Sequence, residues 1–272
     1  MSMVHFWHSG SCRYDASISM EVVGVKLSPV KKIVFWLLAV CIPVLLVTSA
    51  LRWAVDDIRL YEYGFKKYAV ERDTGISRQE LRRVAMALID YFNFRTDEAQ
   101  VIVNRAGERV ALFNQRELIH LSDVRDLVRL NSSVQMTALM IMTICAAVLA
   151  ILSKQRWLAL SKAALLGGGL TFGLAMALAV WCWVGFDQFF YLFHIASFRN
   201  EFWILNPAED YLIKLFPGDF FYDAALLVFG SVLTFSLLLV VVSLCVLRFF
   251  GSWSEPNTGQ GGPMAQTFTS RN

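Results

Sequence analysis

Two histidines lie in segments that mix bulky apolar side chains with polar ones. His120 belongs to the segment 117–124, and His194 opens the segment 194–223. An imidazole has an ordinary pKa of about 6.5, so it can both take up and release a proton near neutral pH. Two imidazoles held together at a lipid surface could carry proton-transfer chemistry on an acyl lipid. We therefore take His120 and His194 as the candidate catalytic residues.

The rest of the chain must position these two side chains at a membrane. Of its 272 residues, 56% are hydrophobic and only 17% are charged, and the mean hydropathy is +0.50. An apolar helix needs about 20 residues to cross the hydrocarbon layer. Four segments without Lys, Arg, Asp or Glu meet this requirement: 33–51, 134–152, 163–183 and 224–247. The sequence predicts a mainly α protein, an integral membrane four-helix bundle.

Basic residues near the span ends predict the orientation, because Lys and Arg of short loops favour the cytoplasmic side. They are Lys26, Lys31, Lys32, Lys154, Arg156, Lys162 and Arg248. Both termini are therefore predicted to be cytoplasmic. Residues 1–30 and 249–272 are expected to be disordered cytoplasmic tails around a transmembrane domain, 31–248. The loops 52–131 and 184–223 are predicted to be extracytoplasmic, and both histidines lie in them.

The first outer loop is long enough to form a small cap between spans one and two. Ser77 and Glu80 predict a capping box, followed by apolar residues at helical spacing from Leu81 to Phe92. This helix could lie on the membrane or pack inside the cap. Residues 101–103 and 110–113 flank a Gly-containing turn and predict a β-hairpin. We therefore expect an extracytoplasmic α/β-hairpin cap.

A second capping box, formed by Asn114 and Glu117, predicts the helix that carries His120 to about Leu130. At 100° per residue, Glu117 and His120 fall within the apolar arc of this helix. Asp123 lies one turn beyond His120, within side-chain reach. A polar pair on a buried face costs free energy unless it is partnered or used. A hydrogen-bonded, purely structural histidine is the alternative interpretation.

The second outer loop is expected to form an interfacial segment between spans three and four. Aromatic residues from Trp181 to Phe193 suit the lipid headgroup region. Polar side chains at this depth are candidates for function. Those of the loop that we single out are Arg199, Asn200, Trp203 and Asp210. A segment lining a polar cavity would explain the mixture, although Asn200 could be a turn residue and Asp210 a helix cap.

Three stretches together resemble a family of small four-span bacterial membrane proteins that includes the lipoprotein intramolecular transacylase. They are Leu81–Tyr91, Arg116–Val124 and His194–Asp223, and the resemblance extends over residues 33–248. Leu121 stands where family members often have Met. The resemblance implies transfer of an acyl chain from the glycerol of a diacylglyceryl-cysteine lipoprotein to that cysteine's own α-amino group. It also implies a bacterial cytoplasmic membrane location and catalysis by histidines at positions 120 and 194.

The expected chemistry needs no enzyme nucleophile, because donor ester and acceptor amine belong to one molecule. One interpretation makes His120 the base, oriented by Asp123 or Glu117, and His194 the acid or oxyanion donor; the opposite assignment stays open. Arg199 and Asn200 could stabilise the oxyanion. The expected partners are the membrane and a diacylglyceryl lipoprotein or other acyl lipid, without nucleic acid, cofactor or metal.

Two other classes of function remain open at this point. A membrane lipid hydrolase or acyltransferase could use the same imidazoles with water or another acceptor. A non-enzymatic four-span chaperone or scaffold would make both histidines structural. A transporter is disfavoured because the four spans contain no ionisable relay residue. A metal hydrolase is disfavoured because the two histidines and the scattered carboxylates lack metal-ligand spacing.

Overall fold

The computed structural model describes residues 29–105 and 107–251. The elements follow in the order α1 (Pro29–Asp56), α2 (Ile58–Lys67), α3 (Val70–Thr74), α4 (Arg78–Phe92), β1 (Ile102–Arg105), β2 (Glu108–Ala111), α5 (Gln115–Leu152), α6 (Arg156–Val184), α7 (Phe186–Ser197), α8 (Tyr211–Leu215) and α9 (Gly218–Gly251). The tails predicted to be disordered lie outside the described residues, except that α1 begins at residue 29 and α9 continues to residue 251.

Helices α1, α5, α6 and α9 are long and apolar enough to cross a membrane, which confirms the four predicted spans. Helix α1 packs against the other three, and α6 lies along α9. The helix that carries His120, which was expected to run to about Leu130 and lead into span two, forms one continuous helix with that span and ends at Leu152. Its 38 residues extend for about 57 Å, while the hydrocarbon layer is about 30 Å thick. The first turns of α5, with His120, therefore project beyond the apolar segment 134–152.

A close approach of backbones holds α6 against α1. A Cβ atom added to Gly167 would lie 2.6 Å from the carbonyl oxygen of Ala39 and 2.6 Å from Cδ1 of Ile42. No atom outside the helix lies within 4 Å of a Cβ built on Gly169. Small residues allow such contacts between membrane helices, so Gly167 is needed for packing and Gly169 is not.

Helix α4 packs inside the cap, which decides between the two placements considered for it. It buries one face, consisting of Leu81, Val84, Ala85, Leu88, Ile89, Tyr91 and Phe92. The Ser77 hydroxyl accepts from the Glu80 N–H and caps the helix, as predicted. The full capping box is wrong, however, because the Glu80 carboxylate binds Arg83 and the Asn104 N–H instead. The hairpin is confirmed, with β1 and β2 antiparallel.

The cap and the bundle share one hydrophobic core. Asp223, near the start of α9, provides the clearest polar link between them. Its Oδ2 accepts hydrogen bonds from Tyr63 (3.1 Å), Lys67 (2.6 Å) and Tyr68 (2.7 Å). These three residues belong to α2 or follow it directly. The cap is therefore fixed to the end of the bundle at which α5 begins.

Candidate active site

His120 is held by the start of α5. Asn114 is the N-cap, its side chain accepts from the Glu117 N–H (3.1 Å), and the Glu117 carboxylate accepts from the Asn114 N–H (2.8 Å). This confirms the predicted capping box, which fixes the first turn of the helix. His120 follows within the next turn and is only 7% exposed. Its Nδ1 is buried and has no hydrogen-bond partner in the described residues.

His194 is held by α7 and is the one buried residue of that helix. Its Nδ1 lies 2.7 Å from the carbonyl oxygen of Phe190, one turn earlier. A carbonyl oxygen only accepts, so the hydrogen of this bond belongs to Nδ1. In the neutral imidazole, Nε2 then carries the lone pair. The backbone of α7 thus selects one tautomer of His194.

The two imidazoles converge from separate loops. Their ring centroids lie 6.3 Å apart, with an angle of 32° between the ring planes. The ring of Phe198 lies 5.0 Å from that of His120 and 5.6 Å from that of His194. Trp203 covers His194 at 4.8 Å. The site is therefore a pair of imidazoles within an aromatic enclosure.

Burial keeps both imidazoles neutral near pH 7. The pKa of His120 is lowered to about 4. Desolvation is the main cause and the neighbouring His194 adds to it, while Asp123 partly opposes both effects. Desolvation also lowers the pKa of His194, partly opposed by its bond to Phe190. A neutral imidazole can accept a proton at one nitrogen and donate a hydrogen bond from the other. Both rings are thus in the form that general base catalysis requires.

Glu117 does not hydrogen-bond His120; it joins the two loops. Its side chain is 1% exposed, and its second oxygen accepts from the Leu212 N–H at the start of α8 (2.6 Å). Burial raises the pKa of this carboxyl, and the carboxylate of Asp210 adds to the rise. Glu117 therefore ties the first turn of α5 to the loop after His194.

Asp210 makes a second link between the same segments. It is 5% exposed and accepts from the Asn114 amide (2.6 Å) and from the Asn206 N–H (2.6 Å). Asp210 stands at the N-cap position of α8, but its side chain makes no capping bond there. The side chain therefore crosses to α5 rather than closing its own helix.

Asp123 and Asn200 form a third link. The Asn200 amide donates to Asp123 Oδ2 (2.8 Å), and its oxygen accepts from the Phe202 N–H (3.0 Å), as in a turn. Beside them lies a cavity of about 300 Å³. Its lining residues are Asp123, Asp126, Leu127, Leu130, Ser197, Phe198, Arg199 and Asn200. Arg199 is exposed at this cavity.

Sequence reasoning missed Asn114 as a partner of Asp210, Phe198 as the shared aromatic wall, and Arg116. The Arg116 guanidinium donates to the Glu201 carbonyl oxygen (2.8 Å) and adds a fourth link between the loops. The sequence predicted Asn114 as a helix cap, but Asp210, to which its side-chain amide donates, lies 96 residues further along the chain. Sequence spacing carries no signal for such contacts.

No group of three or more His, Cys, Asp or Glu side chains could hold a metal ion within residues 29–105 and 107–251. Of the predicted supporting residues, Glu117, Asp123 and Asp210 are carboxylates that accept hydrogen bonds from side-chain amides or backbone N–H groups. The arrangement suits proton transfer between a bound ester and a bound amine.

Comparison with known proteins agrees with this architecture. The crystal structure of the membrane-integral lipoprotein intramolecular transacylase Lit from Bacillus cereus superposes with a TM-score of 0.66 at 19% identity, covering 82% of this chain and 98% of that one. A variant of that enzyme with one histidine replaced by arginine gives 0.65 at 19% identity, covering 83% and 95%. The alanine variant gives 0.65 at 20% identity, covering 82% and 96%. These likenesses show the fold.

A search of curated protein sequences finds no match. The model of the Lit family, described as lipoprotein intramolecular transacylase, matches residues 36–221, which is more than half of the chain and includes both histidines. The chain therefore belongs to the Lit family of lipoprotein intramolecular transacylases.

Proposed function

We propose that His120 and His194 transfer an acyl chain from the glycerol ester of a diacylglyceryl-cysteine lipoprotein to the α-amino group of the same cysteine. The observation that carries the proposal is the pair of buried imidazoles, 6.3 Å apart, contributed by two separate loops. Donor and acceptor belong to one lipid-modified cysteine, so binding it in a folded conformation supplies a high effective concentration. The enzyme then has to move protons and stabilise charge.

His194 is the general base in this proposal, which adopts the alternative that sequence reasoning left open. Its Nδ1–H is committed to the Phe190 carbonyl, so Nε2 is the proton acceptor of the neutral ring. The lowered pKa keeps that lone pair free at neutral pH. The hydrogen bond to the backbone also fixes the direction in which the ring presents Nε2.

His120 donates a hydrogen bond to the developing oxyanion. A proton on the buried Nδ1 would have no partner among the described residues and would cost free energy. We therefore place the proton of the neutral ring on Nε2. A neutral imidazole can polarise a carbonyl in this way, as another enzyme shows with a histidine of lowered pKa. Arg199 and Asn200 at the adjoining cavity are further candidates for stabilising this charge.

The protons and bonds balance without a cofactor. The amine nitrogen bonds to the ester carbonyl carbon, and Nε2 of His194 takes a proton from that nitrogen. The carbon–oxygen bond to the glycerol then breaks, and His194 returns the proton to the departing alkoxide. The products are an amide on the cysteine and a free hydroxyl on the glycerol.

Glu117 and Asp210 are positioning residues in this proposal. Each is buried and bridges α5 to the loop after His194. Trp203 packs on the base and limits its motion. We infer that these contacts set the separation of the two imidazoles, on which the proton transfers depend.

We place the site at the outer face of the bacterial cytoplasmic membrane, with both termini in the cytoplasm. The turn between α5 and α6, with Lys154 and Arg156, lies at the opposite end of the bundle from His120. Basic residues of short turns favour the cytoplasm. Fusion of a reporter that is active only in the cytoplasm to the C-terminus tests this placement, and an inactive reporter on a stable fusion contradicts it.

The test is mass spectrometry of a lipoprotein's N-terminal lipopeptide in cells with and without this protein. Wild type should yield N-acylated lyso-form lipopeptide, while His194→Ala and His120→Ala should yield none at equal membrane abundance. Ser122→Ala, an exposed change on the same helix, is the matched control and should behave as wild type. Lyso product without an N-acyl group would indicate a hydrolase. Unchanged product from both histidine variants contradicts the proposal.

A further inference from the structure

The cavity beside the imidazole pair has a lining suited to one end of the substrate. It measures about 300 Å³, and Phe198, which lines it, also contacts both imidazole rings. Leu127 and Leu130 supply an apolar wall, while Asp123, Asp126 and Arg199 supply charges. A site of this size accommodates a single residue with its first substituents. The cavity is therefore amphiphilic and adjoins the position of the chemistry.

The proposed reaction requires the enzyme to bind a cation. A free α-amino group has a pKa of about 7.7–8.0, so at neutral pH the acceptor arrives mainly as an ammonium ion. Neutral imidazoles offer it no charge, and Arg199 repels it. A carboxylate close to the imidazoles would bind the ammonium ion and hold it where it can lose its proton.

Asp123 has the required placement. Its side chain is half-buried, lines the cavity, and is near enough to His120 to raise the pKa of that ring. Asn200 holds Oδ2, whereas Oδ1 accepts no hydrogen bond from the described residues. Asp126 is more exposed and lies 3.9 Å from Arg129. One oxygen of Asp123 is thus fixed and the other is free to accept.

We propose that the cavity is the acceptor subsite, in which Asp123 binds the α-ammonium group of the diacylglyceryl-cysteine. The inference rests on the proposed function, since it is that reaction which supplies an amine as acceptor. The ammonium ion donates a hydrogen bond to the free oxygen of Asp123 and passes one proton to solvent, so that His194 stays neutral and can act as the base. The resulting neutral amine then attacks the ester. Asp123 accordingly selects lipoproteins whose amino group is free.

Binding of two unreactive lipopeptides tests the subsite. Both carry ether-linked alkyl chains on the glycerol, which cannot be transferred; one has a free α-amine and the other an N-acetyl group. Wild-type protein in detergent at pH 7 should bind the free amine about tenfold more tightly, which corresponds to about 1.4 kcal/mol. The preference should disappear at about pH 9.5, where the amine is neutral.

Asp123→Asn should abolish this preference and leave affinity for the N-acetyl peptide within twofold. The variant can still accept from Asn200 through its amide oxygen. Asp97→Asn is the matched control, because this carboxylate is fully exposed and pairs only with Arg125 among the described residues; it should keep the preference. Asp123→Glu, which retains the charge, should keep at least part of it, and serves if the Asn variant does not fold.

Equal wild-type affinity for the two peptides, or a preference that survives in Asp123→Asn, overturns the subsite. Because the ether lipopeptides cannot react, this outcome is independent of the acyl-transfer assay. A charge-dependent preference without any N-acylated product in the cell would instead retain the amine subsite and overturn the reaction proposed for the histidines.

Discussion

A protein with His120 replaced by Gln should lose less stability on acidification than the wild-type protein. The ring is 7% exposed, and burial lowers its pKa to about 4, against about 6.5 in an unfolded chain. The unfolded chain therefore binds the proton first, so this group contributes stability above pH 6.5 that is lost as the pH falls towards 4. Linkage gives a loss of about 2 kcal/mol between pH 7 and pH 5. Gln cannot titrate and should remove that contribution.

The free energy of unfolding can be measured for full-length protein in mixed micelles at pH 7 and pH 5. Wild type should lose about 2 kcal/mol more than His120→Gln over this interval, while other titrating groups contribute equally to both proteins. Ser122→Ala, exposed on the same helix, should lose as much as wild type. If His120→Gln loses the same free energy as wild type, the imidazole is not held neutral by burial, and the reasoning on its role fails.

Three further predictions follow from packing and charge. Gly167→Ala should destabilise the bundle by about 2 kcal/mol, because the added Cβ clashes with the α1 backbone. Gly169→Ala, the control, should change the free energy of unfolding by less than about 0.5 kcal/mol. Thermal unfolding of the two variants in detergent tests this difference. Asp223→Asn should also lower stability in the same measurement, because it removes the ion pair with exposed Lys67 that links the cap to α9. The His194 imidazole should titrate with a midpoint below about pH 6.5, because burial lowers its pKa. NMR of histidine-labelled protein in detergent measures this midpoint, and one at or above about 6.5 contradicts the assignment of His194 as a buried base.

Local signals in the sequence were sufficient for much of the fold. Four uncharged apolar segments predicted the spans, and the capping residues Asn114 and Glu117 predicted where the helix carrying His120 begins. The same rule failed at Ser77, because the Glu80 carboxylate found partners in Arg83 and the hairpin. A capping box forms only if the carboxylate of its glutamate is not bound by other groups of the folded protein. A four-residue sequence pattern carries no information on those competing partners.

The helical wheel predicted that Glu117 and His120 face inward, and both are buried. Asp123 or Glu117 was expected to orient His120, but the Glu117 carboxylate binds backbone N–H groups of Asn114 and Leu212, and Asp123 accepts from Asn200. Leu212 lies 95 residues further along the chain. The separation of the two imidazoles depends on such long-range contacts. The sequence therefore identified both histidines as candidates but gave no information on the distance between them.

The hydrogen bonding of the buried polar groups separates two kinds of residue at this site. Glu117 and Asp210 have each carboxylate oxygen bound to an N–H group from α5 or the second loop, so their burial produces rigidity. His120, by contrast, retains a buried nitrogen without a partner. A group left in that state costs about 1–3 kcal/mol, and the chain maintains it one turn from a fully satisfied carboxylate. Because the supporting contacts are strong enough to hold the loops together, Nδ1 of His120 can remain without a partner, and the burial that leaves it so also keeps the ring neutral, with Nε2 left for the substrate.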